Sequence, residues 1–261
     1  MPEVETLERA ADRPTNRDEA WRYADADFLA KAHPDAIHHW RTLEVPSGET
    51  RSEFMYNNTG VDCPGAIDRL RVHVRKGGRF EGFYIIAGGK YQRVELEVTL
   101  EEGAHFEFGG VTIGGGDKVQ EFVTRTIHAE PNATSNQTVR AVQWGRSVGN
   151  FLGRIEVVKD AQKTDAAQNF RAILLEKGAS ANTKPELEIF ADDVLCAHGA
   201  AIGQLDEGAA YYMAARGISP EVARRLQVQA FIGDAFVELG DADVRERMLE
   251  QALEQLDGAA L

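Results

Sequence analysis

The chain has 261 residues, 43% hydrophobic and 27% charged, enough apolar content for a buried core and too much for wholesale disorder. Its 42 Asp and Glu outnumber 29 Lys and Arg, for a formal net charge of -13, and so acidic a surface repels phosphate backbones and anionic lipids; no nucleic-acid or membrane partner is expected. No apolar run is long enough to span a bilayer, the N-terminus lacks a secretory apolar region, and two cysteines 133 positions apart form neither a disulfide framework nor a C-x-x-C pair, so the expectation is a cytoplasmic chain with free thiols.

Residues 1–30 read as helical, with Thr15 or Asn16 as a cap, Asp18 and Glu19 in a first turn, and Trp21, Tyr23 and Phe28 as apolar contacts. Residues 31–65 carry the breakers Pro34, Pro46 and Pro64; they predict only a strand at 53–56 and a turn at 57–60. From Ile67 the period becomes two. Leu70, Val72 and Val74 alternate with Arg71, His73 and Arg75, and Val94, Leu96, Val98 and Leu100 alternate with polar residues. Further strands are expected at 105–108, 118–128, 137–144, 151–158, 169–175 and 187–190.

A weak repeat runs through this stretch. An aliphatic residue, two polar residues and then Gly77-Gly78 recur as Gly103-Ala104 and Gly178-Ala179, with a poorer copy at 127–133. The spacing points to a unit of about 25 residues whose strands end in tight corners where glycine is favoured. The repeat alone leaves a stacked β-solenoid and a glycine-rich β-sandwich both open. After Gln204 the pattern turns helical: a helix at 205–216 stopped by Gly217, a second starting at Ser219-Pro220-Glu221 and running to Leu239, and a third at about 242–257 capped by Asp241. This module is expected to dock on the solenoid end, on a partner, or on both.

Chemistry is concentrated at 191–207, where Asp192, Asp193, Cys196, His198, Asp206 and Glu207 fall together. On a strand, Cys196 and His198 sit at i and i+2, on one face. A thiolate and an imidazole so placed can share a soft metal such as iron or zinc; the alternative is a buried structural cysteine. The glycine-rich runs 109–116 and 145–153 fit neither a phosphate loop nor a dinucleotide fingerprint and read as corners. His38-His39 reads as surface, and Glu156, Asp160 and Asp165 as a solvated face rather than paired catalytic acids.

The string Lys184-Pro185-Glu186-Leu187-Glu188-Ile189, then Asp192-Asp193-Val194, then Cys196-x-His198-Gly199-Ala200, then Gly203-x-Leu205-Asp206-Glu207 and Tyr211-Tyr212-x-x-x-Arg216-Gly217 resembles the C-terminal half of the SufB/SufD family, scaffold subunits of the SUF iron–sulfur cluster assembly system. Asn16-Arg17-Asp18-Glu19-Ala20-Trp21-Arg22-Tyr23 is similar to the N-terminal signature of SufD. The resemblance implies a mainly β chain: a right-handed parallel β-helix (solenoid), residues 66–203, after a short N-terminal helical and irregular segment, 1–65, and before a C-terminal helical cap, 204–261. It implies a SufD-like scaffold without its own catalytic motif, working with a SufC-like ABC-type ATPase and with a SufB-like subunit or a copy of itself. No cofactor is permanently bound; a transient iron–sulfur cluster forms at the subunit interface. By position, His198 matches a histidine linked to cluster assembly and Cys196 its neighbouring cysteine, while Tyr211, Tyr212, Arg216 and Gly217 fall where the ATPase is met. Typical members are over half as long again, so this chain is expected to lack part of the N-terminal region and several rungs. A module that binds and activates the ATPase without holding metal stays open as the alternative.

Overall fold

The computed structural model describes residues 13–58, 60, 63–256 and 258–259. Among these residues twelve strands form two six-stranded parallel sheets. The odd strands are β1 (Arg41–Val45), β3 (Ala66–Val74), β5 (Tyr91–Leu100), β7 (Val119–His128), β9 (Val148–Val157) and β11 (Ser180–Ile189). The even strands are β2 (Thr50–Asn57), β4 (Arg79–Ile86), β6 (His105–Gly114), β8 (Thr134–Gln143), β10 (Asp165–Leu174) and β12 (Leu195–Gly203). Each strand pairs with the strand two places on, so the chain coils as a solenoid with two strands per turn. The offset between rungs varies from 26 residues, Leu70 to Leu96, to 32, Val148 to Ser180, so the 25-residue unit was too short and not constant.

One column of corners explains the repeat. Gly48, Gly77 and Gly103 all have φ near +70°, and Asn132 and Lys163 take the same left-handed geometry one and two rungs further on. Each donates its backbone N–H to the corner above: Gly77 to Glu102 O at 2.9 Å, Gly103 to Pro131 O at 3.1 Å, Asn132 to Gln162 O at 2.9 Å. Gly178 belongs to the opposite column, joining β10 to β11, so the sequence repeat merged two different corners. The run 109–116 is also mostly strand rather than corner, and only its end turns, at Gly116 with φ 65°.

The space between the sheets holds the first core. Phe80 stacks on Phe106 and Phe151 on Phe170, with centroids 5.7 and 5.9 Å apart. Part of the lumen is polar. Gln120, Thr124, Thr126, His128, Ser135, Gln137 and Gln168 are all buried there.

The helices flank the solenoid. The N-terminal stretch is not one helix: after a 3-10 turn at Glu19–Trp21 come α1 (Ala26–Lys31) and α2 (Pro34–His38), and residues 1–12 lie outside the described residues. Asn16 caps no helix; its amide donates to the carbonyls of Trp21, Arg22 and Ala24. The segment lies on the outer face of the odd-strand sheet, where the buried Arg93 guanidinium sits 3.9 Å from the Trp21 ring and pairs with Glu121 and Glu95.

At the other end, α3 (Glu207–Ala214), α4 (Pro220–Gly233) and α5 (Ala242–Glu254) follow β12; α4 stops at Gly233 and a 3-10 turn, Asp234–Phe236, continues it, short of the Leu239 expected. The α4–α5 pair covers the outer face of the even-strand sheet, with Val228, Ile232 and Phe236 packed on Phe83, Val111 and Val142. It docks on the flank, not on the end. Gly109 makes the approach possible, because a Cβ there would collide with the carbonyl oxygen of Ala235. Gly109→Val is therefore expected to cost about 2 kcal/mol and to make residues 204–259 protease-sensitive while the solenoid resists; unchanged cleavage contradicts this. Arg140, buried on β8, clamps the same joint through the Asp234 carboxylate. Asp234 is half exposed, so Asp234→Asn is expected to cost only about 1 kcal/mol in urea unfolding.

Candidate functional site

The last rung is built differently from the others. The inward positions of β10 are buried: Ala166, Gln168, Phe170 and Ala172. Their register partners one rung on are Cys196, His198, Ala200 and Ile202 of β12. Side chains in a parallel ladder stack in register, so both candidate ligands face the lumen at its mouth. Among the described residues strand β12 pairs only with β10, and β11 only with β9, which leaves both outer edges unpaired there. Nothing among the described residues covers this mouth. Leu195 is 71% exposed and Phe190 63%, with Ile189 and Ile202 also open to solvent.

Cys196 is half-buried, and His198 is exposed. Burial, then the nearby Asp165 carboxylate, push the Cys196 thiol above its ordinary range, so in the isolated chain it rests protonated. Cys196 packs with Val194 and Leu187 against Ile155, Val157 and Ala166. Among the described residues no three His, Cys, Asp or Glu side chains are grouped as a metal-binding set, so this chain offers the Cys196–His198 pair and no more at this point. Of the other carboxylates named from sequence, Asp165 lies near Cys196. Glu156 pairs with Arg125 on the outer face, and Asp165 opens β10. Cys63 and Cys196 are both free thiols. His38 and His39 are exposed, at the end of α2.

The segment after β12 is the second unpartnered surface. Asp206 caps α3, accepting from the N–H groups of Gly208 and Ala209, and Gly217 ends the following turns with φ +83°. No residue of α3 is buried. Tyr211 is 80% exposed, and the Arg216 guanidinium lies 4.1 Å from the Tyr212 ring.

Residues 35–231 match the family described as SUF system FeS cluster assembly, SufBD core domain. The chain belongs to this family. It is 33% identical over 174 residues to an iron–sulfur cluster assembly SufBD family protein of Synechocystis, covering 66% of this chain and 38% of that protein. It is 37% identical over 116 residues to SufD of Escherichia coli, 44% and 27% of the two chains, and 29% identical over 150 residues to SufD of Bacillus subtilis, 57% and 34%. The matches thus span less than two fifths of each of these SufBD relatives. The family model takes in both the mouth and α3.

Sequence reasoning found Cys196 and His198 through their i, i+2 spacing but missed what stands beside them. Pro185 sits in mid-strand on β11, and a proline there is a signature of an edge strand. The exposed Phe190 and Leu195 carried no signal of their own, because a lone apolar residue in sequence reads as core.

Proposed function

We propose that the chain is a SufD-like scaffold subunit for iron–sulfur cluster assembly, in which Cys196 and His198 hold the nascent cluster as cargo at a subunit interface. The observation that carries the reading is that both side chains face an unsealed solenoid mouth on a strand with a free edge. Two ligands do not complete a coordination shell, so a second subunit, SufB-like or a copy of this chain, supplies the rest. The protonated thiol is held ready and gives up its proton as iron binds. A SufC-like ABC-type ATPase engages Tyr211, Tyr212, Arg216 and Gly217, and its nucleotide cycle moves α3 against β12, opening and closing the mouth. The chain acts as a scaffold, not an enzyme. Among the described residues no helix is long and apolar enough to cross a membrane, in keeping with a cytoplasmic setting.

The alternative is a module that binds and activates the ATPase without touching metal. It is favoured by the lack, among the described residues, of any three-ligand group. Anaerobic iron titration of the purified chain with its ATPase separates the two. The scaffold reading expects iron uptake that disappears in the double variant Cys196→Ala/His198→Ala; equal uptake in both forms leaves the module reading.

A further inference from the structure

Each turn of a solenoid touches only its neighbours, so the coil by itself does not connect the second rung to the last. The N-terminal segment does. Two of its tryptophans stack against arginines of the odd-strand sheet. The Arg71 and Arg69 guanidiniums lie 4.3 and 4.0 Å from the Trp40 ring, and Arg69 and Arg93 lie 5.6 and 3.9 Å from the Trp21 ring. Arg69 also donates to Ile37 O at 2.8 Å and Arg93 to Ala20 O at 2.9 Å, which fixes the segment on β3 and β5. Phe28 packs on Tyr91 with centroids 4.9 Å apart, and Val119 of β7 joins the same apolar cluster. Asn150 of β9 donates to Tyr23 O at 3.4 Å and accepts from Asn182 of β11 at 2.9 Å. Glu19 ends the run by pairing with Lys184 of β11. The segment therefore links every odd strand from β3 to β11.

The two lips of the mouth are held unequally. On the opposite flank the helical layer reaches Phe83 of β4, Val111 of β6 and Val142 of β8, and its Arg140–Asp234 clamp also sits on β8. Among the described residues β12 pairs with β10 alone. We infer that residues 15–40 are a strap that holds the β11 lip of the mouth to the inner rungs, with Glu19–Lys184 as its latch. While the latch is closed, only the β12 lip is free to move; opening it releases β11 as well. Anchor and latch differ in strength for a physical reason. Trp21 is buried on a guanidinium with no exposed surface, where a cation–π contact is strongest. Glu19 and Lys184 are 70% and 27% exposed, a surface pair of the kind that forms and breaks readily. The latch also reaches over a cavity of about 240 Å³ floored by Val123 and Leu152, so it is not packed down onto the sheet. Lys184 keeps Glu186, 2.8 Å away, when Glu19 leaves, so opening the latch leaves no unpaired cation on β11.

Amide hydrogen exchange of the purified full chain, read by mass spectrometry without metal or partner, tests this. The readout is β11, where Ser180 N–H holds Ser147 O at 3.0 Å and Phe190 N–H holds Val157 O at 2.9 Å. In Trp21→Ala, β11 is expected to exchange at least about tenfold faster, although the lost ring sits on arginines of β3 and β5, while β10 and β12 exchange as in the wild type. Glu19→Lys keeps the Trp21 anchor and sets a like charge against Lys184. In that variant β11 is expected to exchange about threefold faster, with β3 and β5 unchanged. Acceleration confined to β3, β5 and β7 in Trp21→Ala overturns the strap, because the damage then stays local. Equal acceleration of β11 and β12 overturns it too, because the loss is then general. So does wild-type exchange of β11 in Glu19→Lys. The inference does not depend on the cluster reading: iron binding by Cys196 and His198 is tested separately by the titration above.

Discussion

Replacing His198 by Ala is expected to lower the amount of cluster assembled with iron, sulfide and the ATPase by at least about tenfold, the scale on which loss of one ligand or its support weakens metal sites. The fold should not notice. His198 is exposed, on the last strand, so no core contact is lost. The melting temperature and the affinity for the ATPase are expected to match the wild type. Cys196→Ala should act in the same direction with a small stability cost, because its side chain is half-buried against Ile155 and Ala166. A normal cluster yield from the His198 variant, measured by iron and acid-labile sulfide content, removes this residue from the account.

The second large effect concerns acid stability and His128. This imidazole lies in the lumen, with Nε2 3.0 Å from Ser135 Oγ, and burial pushes its pKa down to about 4 from the ordinary 6.5. The folded state therefore prefers the neutral ring, and the unfolded chain takes up a proton first as the pH falls. The stability that depends on this group is fully present above about pH 6.5 and is lost as the pH falls toward 4. The loss amounts to about 2 kcal/mol by pH 5 and about 3 kcal/mol by pH 4. Urea unfolding of wild type and His128→Asn at about pH 7 and pH 5 isolates the contribution, since the salt-bridged carboxylates titrate alike in both. The variant should be less stable at neutral pH and lose correspondingly less on acidification. Parallel pH slopes in the two proteins contradict a buried neutral His128.

Periodicity revealed strands where one face is lumen and the other is water. Strands β3 and β5 showed themselves this way, with aliphatic residues inside and the Arg71–Glu97 pair outside. Strand β4 did not, because its Phe83 and Ile85 face outward into the helical layer while Phe80, Tyr84 and Ile86 fill the lumen, and a strand buried on both faces has no alternation. Of the first rung only residues 53–56 of β2 were expected, and the rest was hidden for the opposite reason: β2 is partly exposed, with Glu53 tied to Arg41 across the rung. Thr124, Gln137 and His128 are polar residue types more often found at surfaces, yet they are buried in the lumen, and nothing local in the sequence marks them as inward. The flank docking of α4 and α5 depends on Gly109 meeting Ala235, a contact between residues far apart in the chain, and no local pattern carries it. At the mouth, the i, i+2 spacing gave the pair of side chains, but its exposure at a free edge follows only from where the coil stops.

The most direct test of the account is X-ray absorption at the iron edge on the chain loaded anaerobically with ferrous iron and sulfide. Nearest-neighbour scattering from both sulfur and imidazole nitrogen is predicted, with the nitrogen contribution gone in His198→Ala and the Cys196 sulfur contribution reduced in Cys196→Ala. A spectrum of oxygen neighbours alone, the same in wild type and both variants, would place the metal elsewhere and contradict a cluster held at the last rung.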